Sequence, residues 1–190
     1  MTIVYKIKGK PDLHFATLVK NEQTGNWEEN GKKEMKVEGV LKWIYLQENE
    51  TKDYWTIRTL KINIEKEDGE KVYIDSSVST TVGRNLINSL TSLSKDDIDK
   101  PINVSLYTTQ REYNWETYTN NNIAVRIDWE LIKWATNPAD LPKPNVVKFQ
   151  GKNMKDYTEQ LEALVKAFKE VWGKEENKWW EDVDVSDLPF

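Results

Sequence analysis

The feature that most constrains this chain is strict apolar–polar alternation recurring between Val37 and Trp129. Leu60, Ile62 and Ile64 alternate with Thr59, Lys61 and Asn63. Val72, Ile74, Ser76 and Val78 alternate with Lys71, Tyr73, Asp75 and Ser77, and Ile102, Val104 and Leu106 with Asn103, Ser105 and Tyr107. Ile123, Val125, Ile127 and Trp129 alternate with Ala124, Arg126 and Asp128. A period of two places one set of side chains in a core and leaves the other for solvent or a ligand. Five strands are predicted on this basis: 37–47, 54–65, 71–80, 102–109 and 123–130. Between the third and fourth, Leu86, Ile87, Leu90 and Leu93 recur at helical spacing, which predicts a helix over 81–93 capped by Thr80 or Thr81. Asp68-Gly69 marks a hairpin turn, and Asn120-Asn121-Asn122 is a candidate for a second.

The order β-β-β-α-β-β is that of an OB-fold, a five-stranded Greek-key barrel. SH3-like barrels and small sandwiches are the alternatives. Around this body (36–135), residues 1–35 read as an N-terminal β extension, with strands at 3–8 and 13–20 and a loop at 21–36. Leu13–Lys20 would pair as an extra edge strand. Residues 136–173 read as a connector holding Pro138, Pro142 and Pro144, then an amphipathic helix from about Met154 to Trp172, closed by Gly173. Residues 174–190 read as a disordered acidic tail.

If the smaller aliphatic residues fill the barrel, Trp43, Tyr45, Trp55, Lys61, Lys71 and Tyr73 share the outer surface of the first three strands. Rings offer stacking faces and lysines neutralise phosphates, so this pattern points to a single-stranded nucleic acid. The alternative puts Trp43 and Trp55 in the core. The stretch 109–122 is rich in aromatic and polar residues and poor in aliphatic ones. It reads as a ligand-gripping loop between strands four and five, with Arg111, Tyr113, Trp115 and Tyr118 as clamp residues and Arg126 on the adjoining strand. The alternative is a hairpin extension used for self-association; a dimerisation helix at 154–172 would likewise make a homo-oligomer.

Charge qualifies this reading. The chain of 190 residues carries a net charge of −5. Residues 174–190 hold Lys174 and Lys178 against six acids, net −4, leaving residues 1–173 at −1. Affinity for a strand would therefore lean on stacking as well as charge, and nine tryptophans and eight tyrosines supply the rings.

Other chemistries find little support. With no cysteine there is no disulfide, thiolate metal site or cysteine nucleophile, which fits a reducing cytoplasm. No apolar run has the length of a signal peptide or a bilayer span, so no membrane role is expected. The single histidine, His14, lacks a partner at a catalytic spacing and reads as structural. Asp96, Asp97 and Asp99 lack the glycine and distal glutamate of a calcium loop, and Val82-Gly83-Arg84 is not a phosphate-binding loop. No enzyme, cofactor or metal is expected.

The last ten residues are Glu181-Asp182-Val183-Asp184-Val185-Ser186-Asp187-Leu188-Pro189-Phe190. This ending resembles the acidic tip of bacterial single-stranded DNA-binding proteins, which closes in Asp-hydrophobic-Pro-Phe. The longer body, N-terminal extension and helix before the tail are more similar in layout to the divergent bacteriophage versions, which act in the host cytoplasm. The resemblance implies an OB-fold that coats single-stranded DNA. It also implies a tip that recruits replication, recombination and repair proteins, with Asp184, Asp187, Leu188, Pro189 and Phe190 as partner-binding residues. A protein-binding adaptor or inhibitor that uses the tip without binding DNA is the alternative.

Overall fold

A computed structural model describes residues 3–50 and 56–173. The chain is mainly β. In order it forms β1 (Ile3–Lys8), β2 (His14–Lys20), β3 (Trp27–Glu34), β4 (Lys36–Glu50), β5 (Thr56–Glu65) and β6 (Lys71–Ser77). Helix α1 (Thr81–Leu90) and a single 3₁₀ turn (Lys95–Asp97) follow. Then come β7 (Pro101–Tyr113), β8 (Glu116–Ile127), β9 (Glu130–Leu131), β10 (Asn145–Phe149), β11 (Lys152–Asp156) and α2 (Thr158–Trp172).

Nine strands make one mixed sheet in the order β3-β2-β1-β6-β5-β4-β7-β8-β9; β10 and β11 pair only with each other. The five alternating runs all become strands, and every neighbouring pair among them is antiparallel. The sheet is not closed into a barrel, because β6 pairs in parallel with β1, Ile3 opposite Val72 and Tyr5 opposite Ile74. Leu13–Lys20 is therefore not an edge. It holds β2 between β1 and β3. The sheet still coils, for Asn121 Nδ2 in β8 donates to Gly9 O in the β1–β2 turn at 3.4 Å.

A single apolar core lies on the inner face. Ile3, Tyr5 and Phe15 meet Leu60, Ile62, Ile74, Val104 and Val125 there, and α1 and α2 cover them with Leu86, Leu90, Leu164 and Phe168. Helix α1 begins where Thr80 Oγ1 accepts from Gly83 N at 3.0 Å, and it ends at Leu90, three residues earlier than its periodicity predicts. Gly83 is required for close approach: a Cβ there would sit 1.9 Å from Ser77 O. Helix α2 is clamped by Arg58, which donates to Glu48 and Glu162 at 2.7 Å each, and by an ion pair from Lys169 to Glu48.

Four expectations are corrected. Residues 27–34 form β3, an edge strand polar throughout except for Trp27, where a loop was expected. The Asn120–Asn122 run lies within β8, paired with Thr109, Thr108 and Tyr107; the turn is instead Asn114-Trp115. Trp129 does not continue the inward set of β8. It sits at the second position of an Asp128-Trp129 turn and is 77 % exposed. The connector and the start of the last helix are interrupted by the β10–β11 ribbon, so α2 begins at Thr158.

Candidate nucleic-acid interface

The outer face of the sheet follows from register. In β4 a bulge at Lys42, whose ammonium donates to Asp99 at 2.9 Å, shifts the alternation by one residue. Leu41, Ile44 and Leu46 point into the core, and Trp43 and Tyr45 lie on the opposite face. Trp43 pairs with Asn63, Asn63 with Tyr73, and Tyr73 with Val4. This row is a second apolar cluster, with Val4, Leu18 and Tyr73 at its centre and Trp27 and Trp43 packed on it. The Trp43 and Tyr73 rings are 5.8 Å apart and tilted by 55°. Tyr73, expected on the outer ligand-facing surface, is a correction: it is only 6 % exposed within this cluster, and burial pushes its hydroxyl above its ordinary value.

Lys61 is a correction. It lies beside Tyr45 on this face but is only 3 % exposed, and its ammonium donates to both Asp75 oxygens at 3.2 and 3.1 Å. Burial pushes the Asp75 carboxyl up, and Lys61 opposes the rise. A lysine held this way is spent inside the protein and does not meet a phosphate. Lys71, two residues before Tyr73 on the same face, is exposed. Trp55 lies outside the described residues, as do Asp184, Asp187, Leu188, Pro189 and Phe190.

The stretch read as a gripping loop is a β arm. Strands β7 and β8 pair without a break from Ile102–Ile127 to Tyr113–Glu116, but β4 leaves β7 at Ser105. From Tyr107 to Tyr113 the ribbon pairs only with itself, a projection of about 24 Å at ~3.4 Å per residue. Register places Tyr107, Arg111, Tyr113, Tyr118 and, nearer the base, Arg126 on one face of this ribbon, Arg111 directly opposite Tyr118. That face is continuous with the outer face of the sheet, since Asn103 pairs with both Glu38 and Arg126. Tyr113 and Tyr118 are 59 % and 47 % exposed, and Tyr118 donates to Glu116, which raises its hydroxyl pKa. No ion pair forms to Arg111, Arg126 or Lys71 among the described residues.

At the tip Asn114 (φ 51°) and Trp115 (φ 66°) both adopt left-handed backbone, the type I′ geometry that matches strand twist. Glycine is the usual choice at the second position. A tryptophan there bears a left-handed cost and, fully exposed, gains no burial in return. Backbone held in this region without glycine is enriched at functional sites.

No known protein family, no characterised protein and no solved structure matches the chain.

The site is therefore read from its own chemistry. Among the described residues no three His, Asp or Glu side chains come together as metal ligands. His14 Nδ1 lies 2.9 Å from Asp12 O, and Asp97 and Asp99 engage Lys100 and Lys42. Among the described residues no helix is long and apolar enough to cross a membrane. What the geometry offers is stacking faces with the Arg111 guanidinium on an exposed ribbon, Arg126 partly buried at its base, and the partly buried rings of Trp43 and Tyr45 on the sheet face beside it. The isolated position of Trp115 was legible as an aromatic in a polar stretch; its place at a strained turn was not.

Proposed function

We propose that the protein binds single-stranded DNA without catalysis, by stacking bases on the arm and sheet face and by meeting phosphates with Arg111, Arg126 and Lys71. The carrying observation is the arm. It exposes Tyr107, Tyr113 and Tyr118 along one face with Arg111 among them and Trp115 at the tip, Arg126 follows on the same face at the base, and neither arginine forms an ion pair among the described residues. Each stacked base contributes ~1–3 kcal/mol, so two or three suffice for useful affinity in a body of low net charge.

Pairing order β6-β5-β4-β7-β8, with α1 between β6 and β7, supports an OB-type Greek key cut open between its third and fifth strands, with β1 occupying the seam. The tail's Asp187-Leu188-Pro189-Phe190 supports recruitment of DNA-processing partners, a terminal aromatic with its carboxylate being a ready anchor for an apolar, basic-rimmed pocket.

Titration of intrinsic tryptophan fluorescence with a dT oligomer tests the proposal. Saturable quenching by the single strand and none by matched duplex is the expected result. No response to either strand form, with no retardation in a gel, would overturn it in favour of a protein-binding adaptor.

A further inference from the structure

The β10–β11 ribbon belongs to no part of the interface described above. Its turn, Gln150 (φ 49°) and Gly151 (φ 76°), is again type I′, and five residue pairs run from Asn145–Asp156 to Phe149–Lys152. A lone two-stranded hairpin is marginal in water. This one is tied at its base, where Asn145 Nδ2 donates to Glu159 at 3.2 Å and Arg84 of α1 lies 4.1 Å over the Tyr157 ring. Beyond that base every residue is exposed on both faces, including Val146 at 66 % and Phe149 at 58 %.

Its charge is unlike the rest of the chain. Residues 141–155 hold Lys143, Lys148, Lys152 and Lys155 and no acid, in a protein of net charge −5. Register places Phe149 and Lys152, with Val147 and Met154, on one face of the ribbon and Lys148 and Lys155, with Val146, on the other. None of the four lysines forms an ion pair among the described residues. Isolated like-charged lysines beside an exposed ring match a polyanion that carries flat bases.

We infer that this ribbon is a second contact zone for single-stranded DNA, which passes over the ribbon with Phe149 against a base and Lys152 on a phosphate at one face and with Lys148 and Lys155 on phosphates at the other. The inference rests on the proposed single-strand binding and extends the length of strand covered beyond the β7–β8 arm.

The test is the salt dependence of dT-oligomer affinity for the full chain and for the triple variant Lys148→Ala, Lys152→Ala, Lys155→Ala. Each phosphate contact adds about 0.7 to the slope of log K against log salt for a single strand. The triple variant should therefore be shallower by about 2, with an unchanged melting temperature because these side chains are exposed. Phe149→Ala should weaken binding about fivefold or more and leave the slope intact. Wild-type binding with the same slope in the triple variant overturns the ribbon's role and leaves the proposed function standing. Failure of the wild type to bind overturns both. An altered sedimentation coefficient in the variants, with unchanged slope, would assign the ribbon to a second copy of the chain and overturn the inference.

Discussion

Replacing Trp115 with glycine should make the arm more stable and the protein a worse binder. Trp115 sits at φ 66° and is fully exposed, so its removal sacrifices no buried surface. Left-handed backbone costs a residue with a Cβ roughly 1–2 kcal/mol. Glycine relieves that cost but adds about 0.5–1 kcal/mol of unfolded-chain entropy, leaving the arm ahead by about 0.5–1 kcal/mol. Among the described residues the arm from Tyr107 to Tyr113 makes strand pairs only with itself, so the gain stays local. Hydrogen exchange of the amides flanking the turn should slow about two- to fivefold, with the global unfolding midpoint unmoved. Affinity for a dT oligomer should meanwhile fall by the value of one stacked base, ~1–3 kcal/mol or about 5- to 150-fold. A residue that merely closes a turn would not give opposite signs. Unchanged affinity, or faster exchange at the tip, would refute the reasoning.

Further predictions concern what holds the sheet and helices in place. Asp75→Asn should destabilise the fold by about 3–5 kcal/mol in urea titration, because it leaves the Lys61 charge buried without its counterion, whereas Lys61→Met with Asp75→Leu should be neutral or stabilising. Burial pushes the Glu48 carboxyl up, but Lys169 and Arg58 outweigh it and hold the group below the ordinary carboxylate range. Stability from Glu48 is therefore present above about pH 4.3 and lost as pH falls below it, so the difference in urea midpoint between wild type and Glu48→Gln should shrink below about pH 4. Gly83→Ala should lower the melting temperature through a shift of α1 costing about 1–3 kcal/mol, since the atom that its Cβ meets, Ser77 O, is backbone.

Alternation located β5, β6 and the core halves of β7 and β8, because burial on one face writes itself into every second residue. It did not locate β3 or the distal arm. Apart from Trp27, those strands bury neither face, so Glu28, Asn30 and Lys32 are under no pressure to differ from their neighbours. The β10–β11 ribbon was hidden for a related reason: Pro142 and Pro144 just before it argue for a connector, and only Gln150-Gly151 between Val147 and Met154 signals a turn. Trp43 and Tyr45 were placed on the right side by size, while the bulge at Lys42 that puts them there is invisible to a strict period of two. Lys61 shows the limit for the site itself. An alternating lysine reads as solvent-facing until its partner, Asp75, is found one strand away. The open sheet was likewise beyond local pattern, since the pairing of Ile3 with Val72 is a choice between distant segments.

That pairing also sets an order of assembly. Strand β1 can form a hairpin with β2 at once, through the short Gly9–Asp12 turn, but its other edge waits for the β4–β5–β6 meander to be complete. Until then the edges of both β1 and β6 are unpaired and open to the wrong neighbour. A parallel join across so many residues is slow to form and, once formed, ties the β1–β2 hairpin to the β4–β5–β6 meander. The seam that keeps this sheet from becoming a barrel is thus also one of its long-range joins, and a place where a second chain could insert its own β1 during folding at high concentration.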